Sequence, residues 1–65
     1  MKKWGYRKLD YDSSSNIIYR GFAKEIGTKI DEEKWYIWKY NYTDGNIVDI
    51  IGPILGRWDK RENLF

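Results

Sequence analysis

Groups able to do chemistry are few in this chain, and they do not fit together. Ser13, Ser14 and Ser15 stand in a row, but the sequence holds no histidine and no cysteine. A serine attacks nothing at neutral pH without a base beside it. Its neighbours Asp12 and Asn16 are instead turn formers, whose side chains bond their own backbone. Asp10 and Asp12 would point to one side of a continued strand, as paired acid–base carboxylates must. With 65 residues, the chain has too little material to wall such a pair into a cleft.

Asp10, Asp12, Ser14 and Asn16 also place oxygen at alternate positions. They lack the central glycine and closing glutamate of a calcium loop, so a turn is the better reading. Gly52-Pro53-Ile54-Leu55-Gly56-Arg57 lacks the Lys-Ser/Thr ending of a phosphate loop. Without Cys or His there is neither a disulfide nor a Cys/His zinc site. The expectation is therefore no catalytic residue, no cofactor, no metal and no small-molecule substrate.

The elements that could position a binding surface are four extended segments and the turns between them. Trp4 to Tyr11 is the first, followed by the turn-rich Asp12-Ser13-Ser14-Ser15-Asn16. Ile17 to Ala23 is the second and forms an antiparallel hairpin with the first. A polar connection over 27–34 follows, where Asp31-Glu32-Glu33-Lys34 suits one helical turn capped by Asp31. Trp35 to Thr43 is the strongest strand. Asp44-Gly45 is a hairpin signal, and Asn46 to Ile51 returns. Gly52-Pro53 is expected to break that strand, since proline cannot donate to a ladder. Arg57 to Asn63 suits one or two helical turns, and the apolar Leu64 and Phe65 are expected to dock. The predicted fold is one small, mainly β domain over 1–65: an antiparallel sheet of about four strands in two hairpins, with a short C-terminal helical turn.

A domain of this length buries a modest share of its surface, and folds of this size usually need a staple or a partner. No disulfide or zinc site can serve, which leaves association. Twelve basic and ten acidic residues give a net charge of +2, weak for a nucleic-acid binder. Lys2, Lys3, Arg7 and Lys8 precede any acid, as solvated charges on an edge do. No apolar run is long enough to span a bilayer. Lys2 and Lys3 lead into Trp4-Gly5-Tyr6-Arg7 rather than an apolar leader core, so the chain is expected to start at Met1, to be made in a cytoplasm and to avoid membranes.

Four Trp, six Tyr and two Phe make 18% of the chain. These are more large rings than a small core can take, and Trp and Tyr dominate the energetic centres of interfaces. The third strand shows where the excess goes. One face carries Trp35, Ile37, Lys39 and Asn41, and the other carries Tyr36, Trp38, Tyr40 and Tyr42. A half-exposed strand alternates apolar with polar, whereas this second face is aromatic throughout. Trp35 and Ile37 are assigned to the core, and Tyr36, Trp38, Tyr40 and Tyr42 to a partner. Trp58, Arg61 and Trp4 join the partner-binding set. Trp58 and Arg61 also tie down the C-terminal segment, with Asp59 pairing a base. The fourth strand is apolar on both faces, with Ile47, Asp49 and Ile51 on one and Val48 and Ile50 on the other. Such strands aggregate when bare, so a homo-oligomer is expected.

The alternative is a small nucleic-acid-binding β module, in which Trp4, Tyr6, Arg7, Lys8, Tyr36, Trp38, Lys39 and Tyr40 stack bases and track phosphates.

One pattern runs through most of the chain. Tyr11-Asp12 and a polar turn lead to Asn16-Ile17-Ile18-Tyr19-Arg20-Gly21-Phe22-Ala23 and Gly27-Thr28. Then come Trp35-Tyr36-Ile37-Trp38-Lys39, a glycine turn, Arg57-Trp58-Asp59-Lys60-Arg61 and a closing Leu64-Phe65. Over about residues 11 to 65 this resembles a group of small virion-associated proteins of tailed bacteriophages. The Trp35 strand is richer in aromatics than in that group, and Gly52-Pro53 and Gly56 depart from it. The resemblance implies a structural or accessory protein of a phage particle, at the capsid, neck or tail. Its partners would be other virion proteins and itself, and its location the virion. A further alternative under the same resemblance is a phage-encoded inhibitor of a host protein.

Overall fold

A computed structural model describes residues 6–65. Four strands form one open antiparallel sheet in the order β1-β2-β3-β4: β1 Tyr6–Tyr11, β2 Ile17–Ala23, β3 Trp35–Thr43 and β4 Asn46–Gly56. A 3₁₀ helix, Trp58–Asn63, closes the chain, with a non-helical break at Lys60. The expected mainly β architecture is therefore present. The first expected strand begins at Tyr6 among the described residues; Trp4, like the rest of 1–5, lies outside them.

Local chemistry sets both hairpins. Between β1 and β2, the Asp12 carboxylate accepts the backbone N–H groups of Ser14 at 2.8 Å and Asn16 at 2.9 Å. Ser15 then turns through φ +66°. The Asn16 N–H, first among the causes, holds the Asp12 carboxyl below its usual range. The stabilisation is present above the ordinary carboxylate range and fades as pH falls through the lowered value. Between β3 and β4, Thr43 pairs with Asn46 around a two-residue loop. Asp44 and Gly45 both take positive φ, +53° and +80°, as a type I′ turn requires. Among the described residues, beyond its two chain neighbours, no atom lies within 4 Å of where a Cβ at Gly45 would stand, so the cost of a side chain there is conformational. Gly45→Val is expected to lower stability by about 1–2 kcal/mol, read from the urea midpoint.

Two sequence expectations need correction. β4 does not end at Ile51 but runs through Gly52-Pro53 to Gly56. Ile37 pairs with Ile54 and Lys39 with Ile51, so β4 carries one extra residue at that point. A bulge on an edge strand needs no ladder donor, and proline is tolerated there. Asp31 to Lys34 forms no helical turn. Lys29 takes the capping place instead: its N–H donates to Glu32 Oε2 at 2.7 Å, and Glu32 N–H donates back to Lys29 O at 3.2 Å. Tertiary bonds hold the segment in that form. Trp35 Nε1 donates to Lys29 O at 2.8 Å, and Asp59 N–H donates to Ile30 O at 3.0 Å.

The core lies on one side of the sheet. Tyr19, Ala23, Trp35 and Ile37 meet Trp58 there, with Ile18, Leu64 and Phe65 packed around them. Trp35 and Ile37 are 0% exposed. The Trp35 ring touches Tyr6 and Trp58 at centroid separations of 5.8 and 5.9 Å, both tilted, a favoured aromatic geometry. Burial, ahead of the nearby Glu62 charge, pushes the Tyr19 phenol above its ordinary pKa. The C-terminal segment packs on this face, and the 24–34 connection joins it through the Trp35–Lys29 and Asp59–Ile30 bonds.

Candidate interaction face

Strand register assembles the opposite face. Arg7, Phe22, Tyr36 and Leu55 are successive partners across all four strands. Leu9, Arg20 and Trp38 form the next row. Beyond it Tyr40 pairs with Ile50 and Tyr42 with Ile47. Directly opposed residues project to the same side, so these rows share one surface. Leu9, Ile47, Ile50 and Leu55 are exposed, while Phe22, Tyr36, Trp38, Tyr40 and Tyr42 are half-buried among their neighbours. Tyr11 joins Arg7, Leu9 and Arg20 around a shallow depression.

Cations stack on the rings of this face. The Arg20 guanidinium carbon lies 5.0 Å from the Trp38 ring centroid, and Lys24 Nζ lies 5.7 Å from that of Tyr36. Each such contact is worth about 0.5–1 kcal/mol at an exposed site. Tyr42 is anchored by its hydroxyl, which donates to Ile17 O at 2.8 Å. The strand carboxylates are elsewhere: Asp10 opposes Tyr19 and Asp49 opposes Asn41, both on the other side. Within the strands, the open face therefore carries two guanidinium groups, Arg7 and Arg20, and no acid. Glu25 and Glu33 appear at its rim, around a pocket of about 270 Å³ with Lys24, Lys34, Tyr36 and Leu55.

The sheet thus brings Tyr36, Trp38, Tyr40 and Tyr42 together on one surface that no other described segment covers. It does not bring Trp58 and Arg61 to them. Trp58 is 6% exposed and belongs to the core on the far side, which corrects its place in the partner-binding set. The reason is packing: Trp58 rests on Trp35 and covers the middle of β2. Arg61 is likewise committed internally. Its Nε and Nη2 donate to Asp10 Oδ2 at 3.0 and 2.8 Å, and its Nη1 donates to Trp58 O at 3.0 Å. Its guanidinium carbon stands 4.6 Å from the Trp58 ring centroid. Asp59 pairs with Arg57, Nη2 to Oδ2 at 2.9 Å.

Sequence reasoning missed Leu9, Arg20, Phe22, Ile47, Ile50 and Leu55 as members of the face. Alternation along β1 and β2 leaves open which of two faces each residue joins. On β4 strict alternation set Ile47 apart from Ile50, and the structure corrects this: the extra residue at Val48 brings both to the open face, and Leu55 lies beyond the expected strand end. The carboxylates of Asp10 and Asp12 go to separate tasks, an ion pair and a turn. Among the described residues no group of three or more acids could hold a metal ion, and no helix is long and apolar enough to cross a membrane. No family model, curated protein or solved structure matches the chain.

Proposed function

We propose that the chain is a non-enzymatic accessory component of a tailed-phage particle, held in place by protein–protein contact through the open sheet face. The observation that carries this is the composition of that face: Trp38 and three tyrosines along β3, flanked by Phe22, Leu9, Ile50 and Leu55, with no layer over them among the described residues. Contiguous apolar surface on this scale marks an interaction site. Trp, Tyr and Arg are the side chains that anchor interfaces. The phage assignment is supported by the ordered pattern from Tyr11-Asp12 to Leu64-Phe65.

The test is made on particles. Tailed-phage particles produced from the genome that encodes the chain are purified, and their proteins are identified by mass. The chain is expected in them, and Trp38→Ala is expected to remove it. The same substitution costs the isolated fold only about 1 kcal/mol, because Trp38 stands on the open face. Particles that never contain the chain, or that retain Trp38→Ala at full occupancy, refute the reading.

One observation favours a second reading, a single-stranded nucleic-acid platform. Arg7 and Arg20 lie among the rings, while Asp10 and Asp49 lie on the other side. Bases stack on such rings and phosphates meet such cations. This reading requires binding to an oligothymidine that weakens steeply with salt and is lost in Arg20→Ala.

A further inference from the structure

We propose that a second copy of this chain adds to the β4 edge, antiparallel about a two-fold axis at Ile50, so that two four-stranded sheets become one of eight. This names one partner within the protein-contact reading above and rests on it. The observation behind it is a difference between the two sheet edges.

Both β1 and β4 are edges. β1 carries Arg7, Lys8 and Asp10 in six residues, and its register is interrupted between Asp10 and Tyr11. Charges and bulges are how proteins block an edge from pairing. β4 has one charge, Asp49, in eleven residues. Five of its aliphatic side chains, Ile47, Val48, Ile50, Ile51 and Leu55, are 40–61% exposed. Such an edge offers unpaired N–H and C=O groups beside apolar side chains, and a further strand satisfies both.

The irregularities of β4 select where the strand sits. Extra residues fall between Ile47 and Asp49 and between Ile51 and Ile54, while Asp49–Ile51 pairs regularly with Lys39–Asn41. A two-fold centred in that regular stretch places Ile50 opposite Ile50 of the second copy. On the open face the row then runs Tyr40, Ile50, Ile50, Tyr40, so the aromatic surface continues across the dimer. On the other face Lys39, Ile51, and Asp49 and Asn41 of the second copy share a row, which brings opposite charges into line. A register centred on Asp49 would instead oppose two carboxylates, which is destabilising. Pairing β4 with β1 would leave an open edge at each end and grow without closing, against the charges of β1.

Sedimentation of the purified chain tests this. The expected species has twice the 7.9 kDa chain mass. Ile51→Glu sets a carboxylate against Asp49 of the second copy at two related sites, and is expected to weaken the dimer about tenfold. Ile51 is exposed and its own neighbour is Lys39, so the variant monomer stays folded, as circular dichroism will verify. Asp49→Lys combined with Ile51→Glu restores opposite charges and is expected to restore the dimer. The proposal is overturned by a monomer at about 100 µM, by species larger than a dimer, by a dimer indifferent to Ile51→Glu, or by a folded double variant that stays apart. An intact dimer missing from particles defeats the particle reading and leaves this one, whereas a monomer found in particles does the reverse.

Discussion

Trp35→Ala is expected to leave the chain unfolded under conditions in which the native sequence is folded. Trp35 is the largest fully buried side chain, at 0% exposure, and it sits where every part of the structure meets. Its ring contacts Tyr6 of β1 and Trp58 of the 3₁₀ helix, and its Nε1–H donates to Lys29 O in the connection before β3. Truncating a buried aromatic to alanine costs about 3–5 kcal/mol. A domain of this length has a total stability of roughly 3–10 kcal/mol, and the lost bond leaves the Lys29 carbonyl to find water. Burial alone does not carry the case, because Tyr36, next along the strand, faces the open side. Tyr36→Ala is expected to cost no more than about 1 kcal/mol. Far-ultraviolet circular dichroism and urea titration of the two variants separate them. Equal losses at 35 and 36 would mean that the open face contributes to folding as much as the covered one.

How far the sequence could be read depended on how local each signal was. The Asp44-Gly45 turn and the Asp12 to Asn16 turn are set by residues adjacent in the chain, so both hairpins were legible. So was the division of β3 into a core face and an aromatic face, which follows from alternation. Trp35 and Ile37 fall on the buried side by the same alternation. The extent of β4 was not legible. Proline ends a central strand, but its effect at an edge bulge depends on which strands lie beside it. The role of Trp58 was equally hidden, since nothing near it in sequence tells which side of a sheet it will cover. Arg20 and Phe22 joined the candidate face only once Arg20 was known to oppose Trp38 and Phe22 to oppose Tyr36. Which base Asp59 would pair was open too, and it is Arg57 rather than Arg61. Arg61 reaches Asp10, far away in the chain.

Gly21 is the position where sequence reading is most misleading, and its substitution is the second large expected effect. A glycine inside a strand ordinarily weakens it by about 0.5–1 kcal/mol relative to alanine, so Gly21→Ala would be chosen as a stabilising change. The packing reverses the sign. A Cβ at Gly21 would lie 2.5 Å from both Cε3 and Cζ3 of Trp58 and 3.2 Å from Cε3 of Trp35. Trp58 has little freedom to withdraw. Arg61 stacks on its ring and bonds its carbonyl, Trp35 lies against it, and the next residue, Asp59, is bonded to Ile30. The absent side chain at 21 is therefore the seat on which the C-terminal segment rests. Gly21→Ala is expected to cost about 2–3 kcal/mol, and Gly21→Val to prevent folding. Because the clash is with particular ring atoms, the cost should not add to that of removing the ring. Gly21→Ala with Trp58→Leu is expected to be more stable than the two single losses predict, by at least about 1 kcal/mol. Urea midpoints of the four chains close the cycle. Strict additivity would place the helix elsewhere than over β2, and would take with it the assignment of the covered and open faces.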